Sequence, residues 1–408
     1  MTHQARPRFE GRTLLVSVTG RDRPGVSSAL FGALAEFDLA VLDVEQVTIR
    51  GRLVLGTLIS APPADQEVLL RDRVAEIAAE LGMDCELHAS IGDQMPTRAT
   101  VHVTMIGAPL RPSAVAEVAS AIALTGANIE RISRMATWPV TAIEMDVSGS
   151  EATRLQSVLA EKALEHGVDI AVQRGGLARR AKRLIVMDVD STLIQDEVID
   201  LLATRAGVEN EVSQITAAAM NGEIDFAQAL RARVALLAGL PASALKDVSN
   251  EIRLTPGAST LIRTLHRLDH QVGVVSGGFI EVIGPLVERL GIDFAAANSL
   301  EIDAGVLTGN LLGPIIDRRG KAEALVDFAA RARVPLEQCV AIGDGANDLD
   351  MIERAGLGIA FNAKQIVKDH ADTAFTFPYL DSVLYLLGIA REEFEDLHAS
   401  DLQDSQRQ

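Results

Sequence analysis

The apolar residues of this chain fall into a repeated pattern first and a different one afterwards. Leu14–Thr19 alternates apolar and polar residues as a half-buried strand does, and Ser27–Phe37 changes to helical spacing. Val44–Ile59 reads as two strands with a turn at Gly51. The same order returns at Val101–Ile106, Ala114–Leu124 and Ile129–Val147. Helical patterns at 66–82 and 151–166, followed by short strands near 84–88 and 169–173, complete a βαββαβ unit in each copy. The repeat predicts two small domains, 10–92 and 98–175, joined by a linker at Gly92–Thr97. Arg174–Arg183, glycine-rich and basic, reads as a solvated connector to the next domain.

Beyond Arg183 the strands change character. Leu184–Met187, Val272–Val275 and Val340–Ile342 are unbroken apolar runs, as expected of strands buried in a sheet. Between the first two, 196–254 keeps helical periodicity with no strand pattern, so it reads as a helical cap inserted into the sheet domain. The prediction is a doubly wound α/β domain over 181–390, with the polar, acidic stretch 391–408 as a flexible tail.

Each buried run ends in residues that carry chemistry. Asp188-Val189-Asp190-Ser191-Thr192 follows the first, and two acids beside a core are costly unless a metal, a proton or donors compensate them. Open α/β sheets bind ligands at the carboxyl ends of their strands. There Asp188 can be a nucleophile that takes up a phosphoryl group, with Asp190 giving a proton to the leaving alcohol. A helix cap at Asp190 or Ser191 is the plainer alternative. The second run ends at Ser276-Gly277-Gly278, whose hydroxyl and backbone N–H groups suit a phosphate oxygen. Lys321 opens a helical pattern, and the third run ends in Gly343-Asp344-Gly345-Ala346-Asn347-Asp348. Mg²⁺ takes oxygen ligands, so Asp188 and Asp344 on adjacent strand ends would suit it.

These residues resemble the haloacid-dehalogenase-like phosphatases, and more narrowly their phosphoserine phosphatases. The resemblance rests on Asp188–Thr192, Glu197, Met220, Phe226, Arg233, Ser276–Phe279, Lys321 and Gly343–Asp348. It implies a Rossmann-like haloacid-dehalogenase core and an aspartyl-phosphate mechanism with Asp188, Asp190 and Lys321 as catalytic residues. It implies Mg²⁺ held by Asp188, Asp190 and Asp344, and substrate contacts from Glu197, Met220, Phe226, Arg233, Ser276, Gly277 and Asn347. Met220 and Phe226 would be apolar walls.

Substrate selection should come from the cap. Phe226, Leu230, Arg233 and Leu237 share one helical face, and a guanidinium on that apolar stripe suits a carboxylate. Snorkelling to the surface is the alternative reading of Arg233. Glu197 would pair with an ammonium. Carboxylate, ammonium and phosphate together describe O-phosphoserine, with phosphohomoserine as a neighbouring substrate. An amino-acid-sensing regulator on a vestigial phosphatase fold is a reading of another class, which would not need both Asp188 and Asp190.

Composition narrows the partners. A net charge of −18 argues against nucleic-acid binding, which draws on cationic contacts to phosphates. The chain has no apolar run of membrane-spanning length, its start lacks the apolar core of a signal peptide, and Cys85 and Cys339 lie far apart, as expected of reduced thiols in a cytoplasmic enzyme. The repeat resembles paired ACT domains, ferredoxin-like βαββαβ modules that sense small molecules in amino-acid metabolism. That resemblance implies a homodimer through the ACT domains and serine as an effector near Gly20, Asp43, Gly107 and Asn128. The run Asp22-Arg23-Pro24-Gly25 has Ala108-Pro109-Leu110 in its place in the second copy, so the two copies need not bind alike.

Overall fold

The computed structural model describes residues 11–91, 100–176, 179, 181–220 and 223–395. The linker Gly92–Thr97 and nearly all of the acidic tail lie outside them, as does the side chain of Met220. The chain divides into two compact units, residues 1–97 and 98–408.

In the first unit, β1 (Arg12–Arg21), β2 (Val41–Ile49), β3 (Arg52–Ser60) and β4 (Met83–Ile91) form an antiparallel sheet in the order β2-β3-β1-β4. Leu14, Val16, Val18, Leu53, Leu55 and Ile59 point to one face, where the helices Val26–Leu34 and Ala64–Glu80 cover them. This is the burial of every second residue that the alternation predicts. On the other face Leu15, Val47 and Val54 stay exposed.

The second copy has the same topology: β5 (Val101–Gly107), β6 (Asn128–Ala136), β7 (Thr141–Ser148) and β8 (Asp169–Arg174) in the order β6-β7-β5-β8, with helices Pro112–Leu124 and Ala152–His166 on one face. Its other face is covered. Ile106, Ala142 and Ala171 belong to the same buried cluster as Leu384, Tyr385 and Leu386 near the end of the chain. Asp169 accepts hydrogen bonds from Thr376 N (2.8 Å) and Oγ1 (2.7 Å) across this junction. The join before the α/β domain is therefore not a solvated connector throughout. Arg179 is buried, ion-paired with Glu144, and donates to the carbonyls of Leu386 (2.9 Å) and Tyr385 (3.1 Å). A buried guanidinium needs such partners to offset lost hydration.

The α/β domain is built on β9 (Leu184–Asp188), β10 (Gln271–Phe279), β11 (Phe294–Asp303), β12 (Val306–Leu312), β13 (Cys339–Gly343), β14 (Leu357–Phe361) and β15 (Thr373–Phe375), in the order β12-β11-β10-β9-β13-β14-β15. All neighbours are parallel except the β11–β12 hairpin, which no run had suggested. Leu184 and Val186 enter one core cluster while Ile185 and Met187 enter another. Both sheet faces are thus covered, and the strand has no polar position to alternate with. The order reverses between β9 and β13, which places the ligand crevice at their carboxyl ends.

The helices Val198–Ala206, Glu209–Met220, Phe226–Ala235 and Ser243–Glu251 form the inserted cap. Its two ends meet in a bridge between Ile194 and Leu254, with Gln195 N donating to Arg253 O (2.9 Å). Among the described residues, no helix is long and apolar enough to cross a membrane.

Candidate active site

A cavity of about 820 Å³ lies between the cap and the carboxyl ends of β9, β10 and β13. Asp188 closes β9, and its Oδ1 accepts from Val189 N at 2.7 Å. The chain then turns sharply, with Ser191 in the left-handed region at φ 55°. Such strain in a non-glycine residue persists only where surrounding contacts enforce it. Here Ser191 Oγ donates to Glu197 (2.7 Å) and Val198 N donates to Asp190 (2.8 Å), tying the loop to the first cap helix.

Lys321 lies in the first turns of the helix Arg318–Ala332, which Asp317 caps by accepting from Gly320 N at 2.8 Å. Its ammonium is fully buried, 2.7 Å from both Asp188 Oδ2 and Asp348 Oδ1. Burial would lower its pKa, but the two carboxylates outweigh that and leave it raised. Asp188 is raised well above the usual carboxylate range by burial first and by Asp348 next, with Lys321 opposing. Asp344, raised to about 6 by burial and by Asp348, accepts from Thr192 Oγ1 at 3.2 Å.

Asp188, Asp344 and Asp348 bring carboxylate oxygens within 4.8 Å of one another. Two buried carboxylates and one half-buried one against a single ammonium leave excess negative charge, and an all-oxygen donor set suits a hard divalent cation. Asp348 was the member without a role in the sequence reading. Its signal was a second acid four residues after Asp344, and Gly343 makes its position possible: a Cβ there would lie 2.4 Å from Asp348 Cγ. Asp190 is not part of the cluster. Its carboxylate takes hydrogen bonds from Val198 N and Ser276 Oγ (3.0 Å), and burial raises its pKa.

The serine at the end of β10 also differs from expectation. The Ser276 hydroxyl is fully buried, donates to Asp190 and accepts from Gly278 N (2.7 Å), so it holds the acid rather than facing the cavity. Gly277 and Gly278 do line the cavity. A Cβ on Gly278 would come within 3.0 Å of Asp190 Oδ2, which explains the glycine.

The cap helix Phe226–Ala235 starts at a capping box, with Asp225 Oδ1 accepting from Gln228 N (2.7 Å) and Gln228 Oε1 from Asp225 N (3.2 Å). It aims Phe226, Leu230 and Arg233 at the cavity, whereas Leu237 lies beyond its end in the buried core. Arg233 is half-buried. Its Nη1 reaches Thr216 Oγ1 only at 3.4 Å, and its buried Nε has no hydrogen-bond partner. Burial lowers its pKa. Glu197 lines the cavity with its side chain exposed to it; displacement of water by the surrounding protein, then the Asp190 charge, raises it to about 7. Asn347 also lines this space.

Each residue expected to bind an effector has local contacts within its own module. Gly20 is buried within β1, where a Cβ would lie 2.4 Å from Met83 Sδ, and a Cβ at Gly107 would lie 2.9 Å from Leu110 Cα. Both glycines are therefore accounted for by packing within their own modules. Asp43 is exposed with Oδ1 accepting from Val44 N, and exposed Asn128 donates to Glu130.

A model described as haloacid dehalogenase-like hydrolase matches residues 185–353, and two ACT-domain models match 12–88 and 99–173. A phosphoserine phosphatase of Streptomyces coelicolor is 57% identical over 395 residues, 96% of each chain. One of Mycobacterium tuberculosis is 50% identical over 95% of this chain and 96% of its own. Among solved structures, a haloacid-dehalogenase-family hydrolase of Salmonella enterica serovar Typhi aligns over 70% of this chain and 98% of its own, at 26% identity and a TM-score of 0.63. A probable phosphoserine phosphatase of Vibrio cholerae aligns over 71% and 87% of the respective chains, at 35% identity and a TM-score of 0.56.

Proposed function

Because the chain belongs to the phosphoserine phosphatase family of haloacid dehalogenase-like hydrolases, we propose that it hydrolyses O-phospho-L-serine to L-serine and phosphate, the last step of serine biosynthesis. The observation that carries the substrate is Arg233: a guanidinium with a buried, unpartnered Nε in the same cavity as Glu197 and Asp188. An unpaired buried donor is costly unless a ligand completes it, and a carboxylate is the natural complement. Glu197 takes the ammonium, and Phe226 packs against the short carbon chain.

Asp188 attacks phosphorus in line with the leaving serine oxygen. Lys321 holds the carboxylate in place and offsets its repulsion of the incoming dianion. Asp190, whose carboxyl burial shifts towards the protonated form and which Ser276 and Val198 N orient, gives its proton to the leaving oxygen. The resulting carboxylate then takes a proton from the water that attacks the aspartyl-phosphate. Gly277 and Asn347 offer donors to the phosphoryl oxygens. Mg²⁺ fits beside Asp188, Asp344 and Asp348, where it would neutralise charge on the phosphoryl group. Asp190 stays outside that set, since its carboxylate is committed to Val198 N and Ser276 Oγ. Phosphate release from a panel of phosphorylated metabolites, before and after chelation and with Mg²⁺ restored, tests the assignment. Undiminished release by fully chelated enzyme would remove Mg²⁺; indifference to phosphoserine would remove the substrate.

Glu197 gives this reading a pH signature. A substrate ammonium binds the ionised carboxylate, and a carboxyl raised to about 7 is increasingly protonated below that pH. On acidification below pH 7, kcat/KM should fall more steeply for phosphoserine than for p-nitrophenyl phosphate, which has no ammonium. Glu197→Gln should abolish the difference. Parallel profiles for both substrates in the unmodified enzyme would exclude Glu197 as the ammonium's partner.

We further read the amino-terminal repeat as a feedback sensor for serine that joins two chains in a homodimer. Its ACT family and the exposed apolar face at Leu15, Val47 and Val54 support this. The second module shares a core with the catalytic domain, so a chain cut near Arg180 would expose that core. Gly20→Ala would displace Met83 and is no clean probe of a ligand. Residues 98–408 are the suitable comparison, and this chain should lose most serine inhibition while keeping turnover. Inhibition as strong as in the full chain would place the effector elsewhere.

A further inference from the structure

Four cationic side chains line the catalytic cavity among the described residues: Arg233, Arg318, Lys321 and Lys364. Lys321 is locked between Asp188 and Asp348, and Arg318 pairs with Asp350 at 2.5 Å. Arg233 sits in the cap and is accounted for by the substrate carboxylate. Lys364 remains. It is exposed, and no ion pair or hydrogen bond engages its ammonium among the described residues. It follows β14, the strand beside β13, after Asn362 in the left-handed region at φ 47°. The short helix it precedes, Gln365–Lys368, packs against the turn Ala346–Asp348 that presents Asn347 and Asp348.

The cavity is also lined by six acids, Asp188, Asp190, Glu197, Asp225, Asp317 and Asp344, in a chain of net charge −18. A dianionic phosphate approaches this surface against its field. We propose that Lys364 is the charge that draws in the phosphate group and first holds it at the mouth of the cavity. This deepens the phosphatase reading and rests on it. The ammonium acts on the phosphate rather than on the amino-acid end, so it serves any phosphomonoester, whereas Arg233 serves only those with a carboxylate. The same contact should hold inorganic phosphate before it departs.

The test is Lys364→Gln, with Lys364→Arg as the charge-conserving control, both with Mg²⁺ present. At low ionic strength kcat/KM should fall about tenfold for phosphoserine and for p-nitrophenyl phosphate alike, shrinking to about twofold at 0.5 M salt as screening removes the attraction. The loss should sit in KM rather than kcat, and Lys364→Arg should recover most of it. Calorimetric affinity for inorganic phosphate should weaken in parallel, a readout that needs no turnover. Unchanged salt dependence, or equal impairment by glutamine and arginine, would overturn the proposal even if the glutamine variant melts lower. Wild-type enzyme that ignores phosphoserine but binds phosphate would sink the substrate assignment and leave the Lys364 comparison intact.

Discussion

Asp188→Asn should abolish phosphate release from phosphoserine, by at least about four powers of ten, while the protein stays folded. An amide is not a nucleophile that can form the acyl phosphate, and no other carboxylate is held by Lys321 at the end of β9. Asp348 also pairs with Lys321, but it comes from the turn after β13. The stability expectation follows from the electrostatics. Asp188 shares the single Lys321 ammonium with Asp348, and burial and the Asp348 charge raise its pKa, so a neutral isostere relieves like-charge repulsion while Asp348 keeps Lys321 paired. The melting temperature measured without Mg²⁺ should therefore be unchanged or higher. Asp190→Asn provides the contrast: it keeps the nucleophile but removes the acid, so phosphate should remain trapped on Asp188 in a quenched reaction. Substantial turnover by Asp188→Asn would eliminate the covalent route.

For Arg233→Ala, the expected result is a KM for phosphoserine raised by about one to two powers of ten, corresponding to roughly 1.5–3 kcal/mol for a lost hydrogen bond to a charged group. For p-nitrophenyl phosphate the change should be small. The physical basis is that Arg233 makes only a 3.4 Å contact to Thr216 and leaves Nε without a partner, so its removal breaks little within the protein. Losses of equal size on both substrates would mean that Arg233 supports the cap instead.

The fold was legible in the sequence wherever a periodic pattern reported burial directly. Alternation in Leu14–Thr19 marked a sheet with one covered face, and the unbroken run Leu184–Met187 marked a strand covered on both. The repeat was visible because both copies use the same order of elements. The hairpin strand β12 was not, since Val306–Leu312 is mostly exposed or half-buried and its pairing to β11 is decided across the sheet edge.

The candidate site was legible as a set of residue types at strand ends, because backbone topology alone brings Asp188, the Ser276 loop and Asp344 to one crevice. What each side chain does there depended on distances that sequence order does not encode. Asp348 joins the carboxylate cluster because Gly343 admits it beside Lys321, while Ser276 and Asp190 satisfy each other. The two ACT modules differ for the same reason. Their strands share one inward pattern, yet the outer face of the first is open, whereas that of the second is buried against Leu384–Leu386 and clamped by Arg179. Local periodicity thus determined which residues form strands and helices and which end in chemistry. Only the tertiary structure decided which charges are buried together, since lost hydration and partner geometry depend on groups far apart in the chain.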